Sequence, residues 1–258
     1  MVGLKKNFSS AFGLYLLIMK RWIKLFTFSV LTGYFAGCET GLFDDCTQGD
    51  GPAKTYYSSI EEFGKLVLKI PAKVILNQDS SATSVFVEVF CQPNVYENIG
   101  FQKSGDVLSI DFQNCVTQYQ PVEIKLTYKD FNGLEIQGPS DLVTEDIFFV
   151  DSLDVLLNST SIFDASFRAR KFSFQVDGAG EVALNGFAET FSLTHNSVGS
   201  VRAFNLETDS IFVDQNNAGI IEVTAQRSIN AEISGVGEVF YKGTPTLFGD
   251  TAALISSN

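Results

Sequence analysis

The feature that most constrains this sequence is a repeat of about 20 residues in its C-terminal half. Small residues recur there at steps of 21, 19, 19, 20 and 18, at Ser140, Ser161, Gly180, Gly199, Gly219 and Gly237. The positions six before and two after them are apolar in every copy, at Leu134, Val155, Phe174, Leu193, Val213 and Ala231 and at Leu142, Phe163, Val182, Val201, Ile221 and Val239. Units this short cannot bury an apolar face alone and must stack on their neighbours. The repeat predicts a parallel β-solenoid of about six rungs across residues 131–245.

The clearest copy of the repeat is DGAGEVALNG (177–186), which returns as SGVGEVFYKG (234–243). A Gly-x-Gly loop that cradles phosphate joins a strand to a helix, whereas each glycine pair here leads into another strand-like segment. Three residues before each recurring small residue, the repeat has a side chain that favours tight turns: Gln137, Asn158, Asp177, Asn196, Asn216 and Ser234. We therefore interpret the glycines as corners of the solenoid, with Val182 pointing into the core.

Short alternating runs also precede the repeat, namely KLVLKI, KVILNQ, SVFVEVF, DVLSIDF and VEIKLTY. Period-two alternation bounded by Gly, Pro, Asn or Asp predicts strands, and no segment beyond residue 46 shows a convincing helical period. The chain is thus predicted to be all-β. Because stacked strands leave open edges, we expect an N-terminal β region, 56–130, to cap one end of the solenoid. The tail, 246–258, should cover the other end or fray from it.

The first 37 residues indicate an export signal. A basic segment after Met19 leads into an apolar run from Leu25 to Ala36, and Phe35, Ala36, Gly37 and Cys38 resemble the lipobox of a bacterial lipoprotein. We predict a signal peptide over 1–37, a lipid on Cys38 and a flexible tether over 38–55. Acyl chains, rather than a spanning helix, would then hold the protein at a membrane.

Two alternatives accompany this interpretation of the N-terminus. A transmembrane helix from Phe12 to Tyr34 is disfavoured because Lys20, Arg21 and Lys24 interrupt it. A second short apolar stretch precedes Met19, and Met1 and Met19 are the only methionines in the chain. We therefore also consider the hypothesis that translation begins at Met19.

Three cysteines remain once Cys38 is assigned to lipidation. An exported protein lies in an oxidising compartment, where one disulfide and one spare thiol are expected. We favour a bond between Cys46 and Cys115, which leaves Cys91 as the spare thiol. No metal site is predicted, since the chain has no C-x-x-C pair and a single histidine, and no cofactor is expected.

The charge balance argues against one class of partner. The chain carries a formal charge of −12, and residues 1–37 hold five basic residues and no acid. The remaining body has 13 basic and 30 acidic residues, a charge of −17. An anionic body repels phosphate backbones, so nucleic-acid binding is not expected.

The repeats, and above all the closing segment SGVGEVFYKGTP (234–245), resemble the putative auto-transporter adhesin, head GIN domain family. The similarity extends from about Tyr57 to the C-terminus. The resemblance implies a secreted or lipid-anchored all-β protein of the β-helix kind, with no catalytic residues to transfer. Together with the general handedness of parallel crossovers, it also implies right-handed coiling.

A few side chains are candidates for more than architecture. Glu181 and Glu238 occupy one outward column, and Tyr241 follows in the closing segment, so these three are our candidate surface-binding residues. His195 falls in a stacking position beside Gln215, which predicts a packed histidine hydrogen-bonded to Gln215 or to a corner backbone group. No catalytic residue is assigned.

These observations support three hypotheses about function. The first is a non-enzymatic lipoprotein of the cell envelope, anchored at the outer membrane, whose rigid solenoid presents a surface for adhesion and binds a glycan or protein ligand. The second is a polysaccharide-active β-helix enzyme, which would need clustered carboxylates. The third is a purely structural envelope protein.

Overall fold

The structure is a computed structural model that describes residues 46–257. The predicted signal peptide, the lipidation site Cys38 and the alternative start at Met19 lie outside the described residues. The described chain is nearly all-β and contains a β-solenoid of about seven turns, which confirms the predicted fold class.

The N-terminal part of the described chain consists of short strands and one helical turn. In four of these strands, Lys73–Gln78, Val85–Cys91, Val107–Phe112 and Glu123–Tyr128, alternating apolar residues face the core, and the helical turn begins with a proline at its first position. The elements are β1 (Thr47–Gln48), β2 (Lys54–Ile60), β3 (Lys65–Leu68), β4 (Lys73–Gln78), β5 (Val85–Cys91), α1 (Pro93–Tyr96), β6 (Ile99–Ser104), β7 (Val107–Phe112), β8 (Val116–Thr117) and β9 (Glu123–Tyr128).

The following strands form the repeats, and the longest of them run through most of a turn. They are β10 (Gly133–Ile136), β11 (Asp141–Thr144), β12 (Phe148–Leu157), β13 (Ile162–Val176), β14 (Glu181–His195), β15 (Ser200–Gln215), β16 (Ile220–Ile233), β17 (Glu238–Lys242) and β18 (Thr246–Gly249), then a 3₁₀ turn (Thr251–Ala253) and β19 (Leu254–Ser256). The tail therefore does not simply fray, because β18 pairs in parallel with β16 and β19 pairs with β17.

Parallel pairing between successive turns reproduces the columns found in the sequence. Val182 pairs with Phe163 on one side and with Val201 on the other, and the same column continues from Leu142 to Val239. The column from Leu134 to Ala231 is likewise continuous. Every member of both columns is at least 96% buried, so the apolar positions of the repeat form the core.

The corner that contains the glycine pair is held by a ladder of side chains. Asn196 donates from Nδ2 to Asp177 at 2.8 Å, Asn216 donates to Asn196 at 2.9 Å, and Ser234 donates to Asn216 at 2.8 Å. Stacked corners also approach closely: a Cβ on Gly178 would lie 2.0 Å from the carbonyl oxygen of Ser159. The glycines thus serve the stacking of corners, as the sequence predicts.

A second corner appears where the alternation of buried and exposed residues slips by one. Ala169 and Phe172 are both buried, while Arg170 and Lys171 between them are both exposed. The same slip occurs on the next turn at Glu189 and Thr190. Two consecutive outward residues separate two flat faces, so one turn contains more than one β segment.

The N-terminal region differs in arrangement from a simple cap. Strands β3 and β4 pair in parallel with β10 and β11, and β7 and β9 pair in parallel with β3 and β4. This region therefore first extends the parallel stack by further rungs, out of chain order. Only then do β2, β5 and β6 add antiparallel strands to the end of the stack.

Candidate functional site

The structure joins Cys46 and Cys115 in a disulfide with a Cα–Cα distance of 4.7 Å. This bond lies beside the short parallel pair of β1 and β8 and links the start of the described chain to the N-terminal strands. Cys91 is fully buried, and burial raises the pKa of its thiol to about 11. A buried thiol that stays protonated is a packing residue rather than a nucleophile.

The structure separates the predicted surface-binding residues into two groups. Glu181 and Glu238 are exposed and belong to one outward column, three rungs apart along Glu181, Ser200, Ile220 and Glu238. Tyr241 instead pairs with buried Val223 and packs, half-buried, against the core. Its neighbour Phe240 is the one in an outward column. The three candidates therefore do not form one site.

The spacing of the two glutamates also bears on catalysis. At about 4.8 Å per rung they lie about 14 Å apart, whereas a glycosidase pair needs about 5–9.5 Å. The carboxylate of Glu181 is 3.6 Å from the Arg202 guanidinium, and both side chains are largely exposed, so this contact contributes little. Glu181 and Glu238 cannot act together as a glycosidase pair.

His195 is fully buried, and the predicted hydrogen bond to Gln215 is confirmed: Nδ1 lies 2.7 Å from Oε1. Gln215 donates from its Nε2 to the Gly219 carbonyl at 2.7 Å, which fixes Oε1 as the acceptor of the imidazole proton. His195 Nε2 then carries no proton and has no partner. Burial lowers the pKa of His195, opposed by hydrogen bonding to Gln215 and to the backbone of Gly199. A buried neutral imidazole is not available to an external substrate.

A shallow groove of about 390 Å³ lies on the outward face that follows the second corner. We call it the hydroxyl groove. Its outward side chains form two adjacent columns, the first Ser152, Lys171, Thr190 and Ser210 and the second Asp154, Ser173, Ser192, Phe212 and Asn230. The groove exists because small side chains occupy the central rungs, while Lys171, Asp154, Phe212 and Asn230 rise around them.

The chemistry of the hydroxyl groove suits a ligand rich in hydroxyl or amide groups. Ser228 donates to Ser210 at 2.9 Å, but the hydroxyls of Ser173 and Ser192 have no partner in the described chain. These hydroxyls can both donate and accept. Phe212, half-buried at one end of the groove, offers an aromatic surface beside them. The strands that carry these groups are rigid elements, which limits the entropy lost on binding.

Sequence reasoning did not identify the hydroxyl groove, although its residues obey the repeat. Ser173, Ser192 and Phe212 are spaced by 19 and 20 residues, and they lie one residue before the predicted inward column. The signal was therefore present in the alternation of inward and outward positions. It was weak because serine and threonine are also ordinary residues of a solvated sheet face.

Within residues 46–257 no three His, Cys, Asp or Glu side chains are grouped so that they could hold a metal ion. In the same range, no helix has both the length and the apolar character needed to cross a membrane.

Comparison with protein families gives one match that covers most of the chain. Residues 62–245 match the family described as "Putative auto-transporter adhesin, head GIN domain". Among curated proteins, none matches this chain.

Solved structures show the same architecture. A putative adhesin from Bacteroides fragilis is similar with a TM-score of 0.71 and 23% identity, over 81% of this chain and 95% of that one. A putative adhesin from Parabacteroides distasonis gives a TM-score of 0.63 and 20% identity, over 83% and 98%. A putative lipid binding protein from the same species gives 0.61 and 17%, over 82% and 96%. At these identities the likeness concerns the fold.

Proposed function

This chain belongs to the head GIN domain family of putative auto-transporter adhesins, and from that premise we propose that it is a non-enzymatic lipoprotein of the cell envelope. In this proposal Cys38 carries the lipid and holds the protein at the outer membrane. The solenoid then presents its outward columns to a glycan or to a partner protein. The family description suggests an adhesin-like role at the cell envelope or surface, and the lipobox-like segment before Cys38 supports the anchor.

The observation that carries the binding role is the hydroxyl groove. It combines unpartnered hydroxyls, an exposed amide on Asn230 and an aromatic side chain on one rigid face. Sugars present both hydroxyl groups and an apolar ring face, so this combination matches their chemistry. The absence of catalysis is supported by the wide separation of Glu181 and Glu238 and by the burial of His195.

The binding role can be tested with the full chain extracted in detergent. We expect it to bind glycans on an array and to release no reducing ends from them. Ser192→Arg places a long side chain across the groove and should abolish binding. Ser200→Arg makes the same change in an outward column on another face and serves as the matched control. Release of reducing ends would contradict the non-enzymatic assignment, and equal binding by both variants would exclude the groove.

The anchor needs its own experiment, because a binding defect says nothing about lipidation. Cells expressing the protein would be fed labelled palmitate, and the label should appear on the wild-type chain and disappear in Cys38→Ser. Cys91→Ser keeps the lipobox and should retain the label. Labelling that persists in the Cys38 variant would refute the assignment.

A further inference from the structure

An aromatic and cationic column lies on the face that precedes the second corner, away from the hydroxyl groove. Phe149, Arg168 and Phe187 occupy paired outward positions on three successive rungs. The two rings are thus about 10 Å apart, at about 4.8 Å per rung, with the guanidinium between them. A shallow cavity of about 480 Å³ lies over this column. We call Phe149, Arg168 and Phe187 the aromatic–arginine column.

Arg168 is the cation that remains available in this cavity. Its neighbour Arg170 is engaged by Asp151 in a two-pronged ion pair, with both N–O distances at 2.7 Å. Arg168 is exposed and forms no ion pair with any carboxylate of the described chain; its guanidinium carbon lies 5.6 Å from the centroid of the Phe187 ring. Stacking on an aromatic ring orients a guanidinium and leaves its N–H groups free to bind.

Phe149 is exposed but its backbone is held firmly. Its side chain is 61% exposed, so the ring face is open to a ligand. Its N–H donates to Gln78 Oε1 at 2.7 Å, and its carbonyl accepts from Gln78 Nε2 at 3.0 Å. One side chain from another rung therefore fixes both peptide groups of Phe149. The ring is presented from a preorganised position.

The charges around the cavity narrow the class of ligand. Asp130, Asp151 and Glu189 line it together with Arg168 and Arg170. With Asp151 and Arg170 paired, one free guanidinium faces two free carboxylates, so a polyanion such as nucleic acid or a polysulfate would be repelled. A ligand with one carboxylate and many hydroxyls fits better, because guanidinium binds carboxylate in a two-pronged fashion and carboxylates accept hydrogen bonds from hydroxyls.

We propose that the aromatic–arginine column is a second binding site that takes a sugar bearing a single carboxylate. The sugar carboxylate binds the guanidinium of Arg168, and the apolar ring face packs on Phe149 or Phe187. Asp130 and Glu189 accept hydrogen bonds from sugar hydroxyls. This site lies on a different face from the hydroxyl groove and does not depend on it.

The test uses the full chain in detergent and titration calorimetry with two probes that each carry one carboxylate, galacturonic acid and a monosialylated oligosaccharide, each paired with its methyl ester. The ester keeps the ring and the hydroxyls but removes the charge. We expect saturable binding of at least one free acid, at least tenfold weaker binding of its ester, and a similar loss in Arg168→Gln, since each change removes the charge-assisted hydrogen bonds between carboxylate and guanidinium. Phe187→Ala should weaken binding as well.

Matched variants separate this site from the hydroxyl groove and from unfolding. Arg202→Gln removes another exposed arginine from the solenoid and should leave the affinity unchanged, as should Ser192→Arg. Circular dichroism melting checks that Arg168→Gln folds like the wild type. Absence of binding to both acids, equal affinity for acid and ester, or full affinity in Arg168→Gln would each overturn the proposal. Loss of binding in Ser192→Arg alone would assign the acid to the hydroxyl groove instead.

Discussion

The buried imidazole of His195 should make the stability of the solenoid depend on pH in a window where few other groups titrate. His195 is the only histidine in the chain. Its pKa is lowered in the folded state by burial, and the unfolded chain binds the proton with the ordinary pKa of about 6.5. The contribution of neutral His195 to the free energy of unfolding is therefore fully present above pH 6.5, and it decreases as the pH falls below that value.

The size of the effect follows from the structure. Burial of the imidazole disfavours its charged form more than hydrogen bonding to Gln215 and to the Gly199 backbone favours it, so the folded state resists the proton. If only the unfolded state binds it, the linkage relation gives a loss of about 1.4 kcal/mol at pH 5.5 and about 2 kcal/mol at pH 5.0. These values are upper limits, because a folded state that accepts the proton at low pH stops losing stability there.

Urea unfolding between pH 7.5 and 5.0, followed by circular dichroism, measures this loss. His195→Gln cannot titrate in the window, and although it is expected to be less stable at every pH, its free energy of unfolding should not decline in this way. A wild-type protein with constant stability from pH 7.5 to 5.5 would refute the reasoning. So would a decline of the same size in His195→Gln, since the carboxylates would then be responsible.

Three further variants test packing, corner geometry and thiol burial. Phe172 is 2% exposed and packs on Phe167 and Phe191. Phe172→Ala should therefore lower the free energy of unfolding in urea by about 3–5 kcal/mol. The exposed control Phe149→Ala should lower it by less than about 0.5 kcal/mol. Gly186→Ala places a Cβ 2.0 Å from the Phe167 carbonyl oxygen at a φ of +114°, and should lower the melting temperature more than Gly105→Ala, where φ is +59° and the space is open. Cys91 should not react with iodoacetamide at pH 8 until urea unfolds the chain, because its thiol is buried and protonated.

Sequence patterns predicted the solenoid because its main features are local. The inward columns and the Asx corner repeat at nearly constant spacing, and each rung pairs with the next along the chain. The N-terminal rungs have neither the constant spacing nor the pairing of each rung with the next one along the chain. Strands β3 and β4 lie between β10–β11 and β7–β9, so neighbours in space are not neighbours in sequence. Alternation alone identified these strands but could not order them.

The aromatic–arginine column escaped sequence analysis for a different reason. The distance from the small residue of each repeat to the member of this column is not constant. Phe149 lies nine residues after its small residue, Arg168 and Phe187 lie seven residues after theirs, and the next member of the column, Glu207, lies eight residues after its own. The offset changes twice: the register moves by two residues between Val143 and Phe148, and by one residue at the bulge between Ala183 and Asn185. An extra residue in one strand displaces every later position of that turn. Columns beyond the bulge can be aligned only once strand pairing is known.

The same architecture separates the residues that hold the fold from those that can bind. Inward residues and corner glycines touch the rungs on both sides: Gly178 lies against Ser159 on one rung and accepts a hydrogen bond from Ser197 on the other, so a change there affects two interfaces. A substitution at an outward residue such as Arg168 leaves those contacts intact. Substitutions in outward columns should therefore change binding with little effect on stability. Substitutions at corners should lower stability with little direct effect on binding. If Arg168→Gln lowered the melting temperature as much as a corner variant, its column would be structural and the assignment of binding to the outward faces would fail.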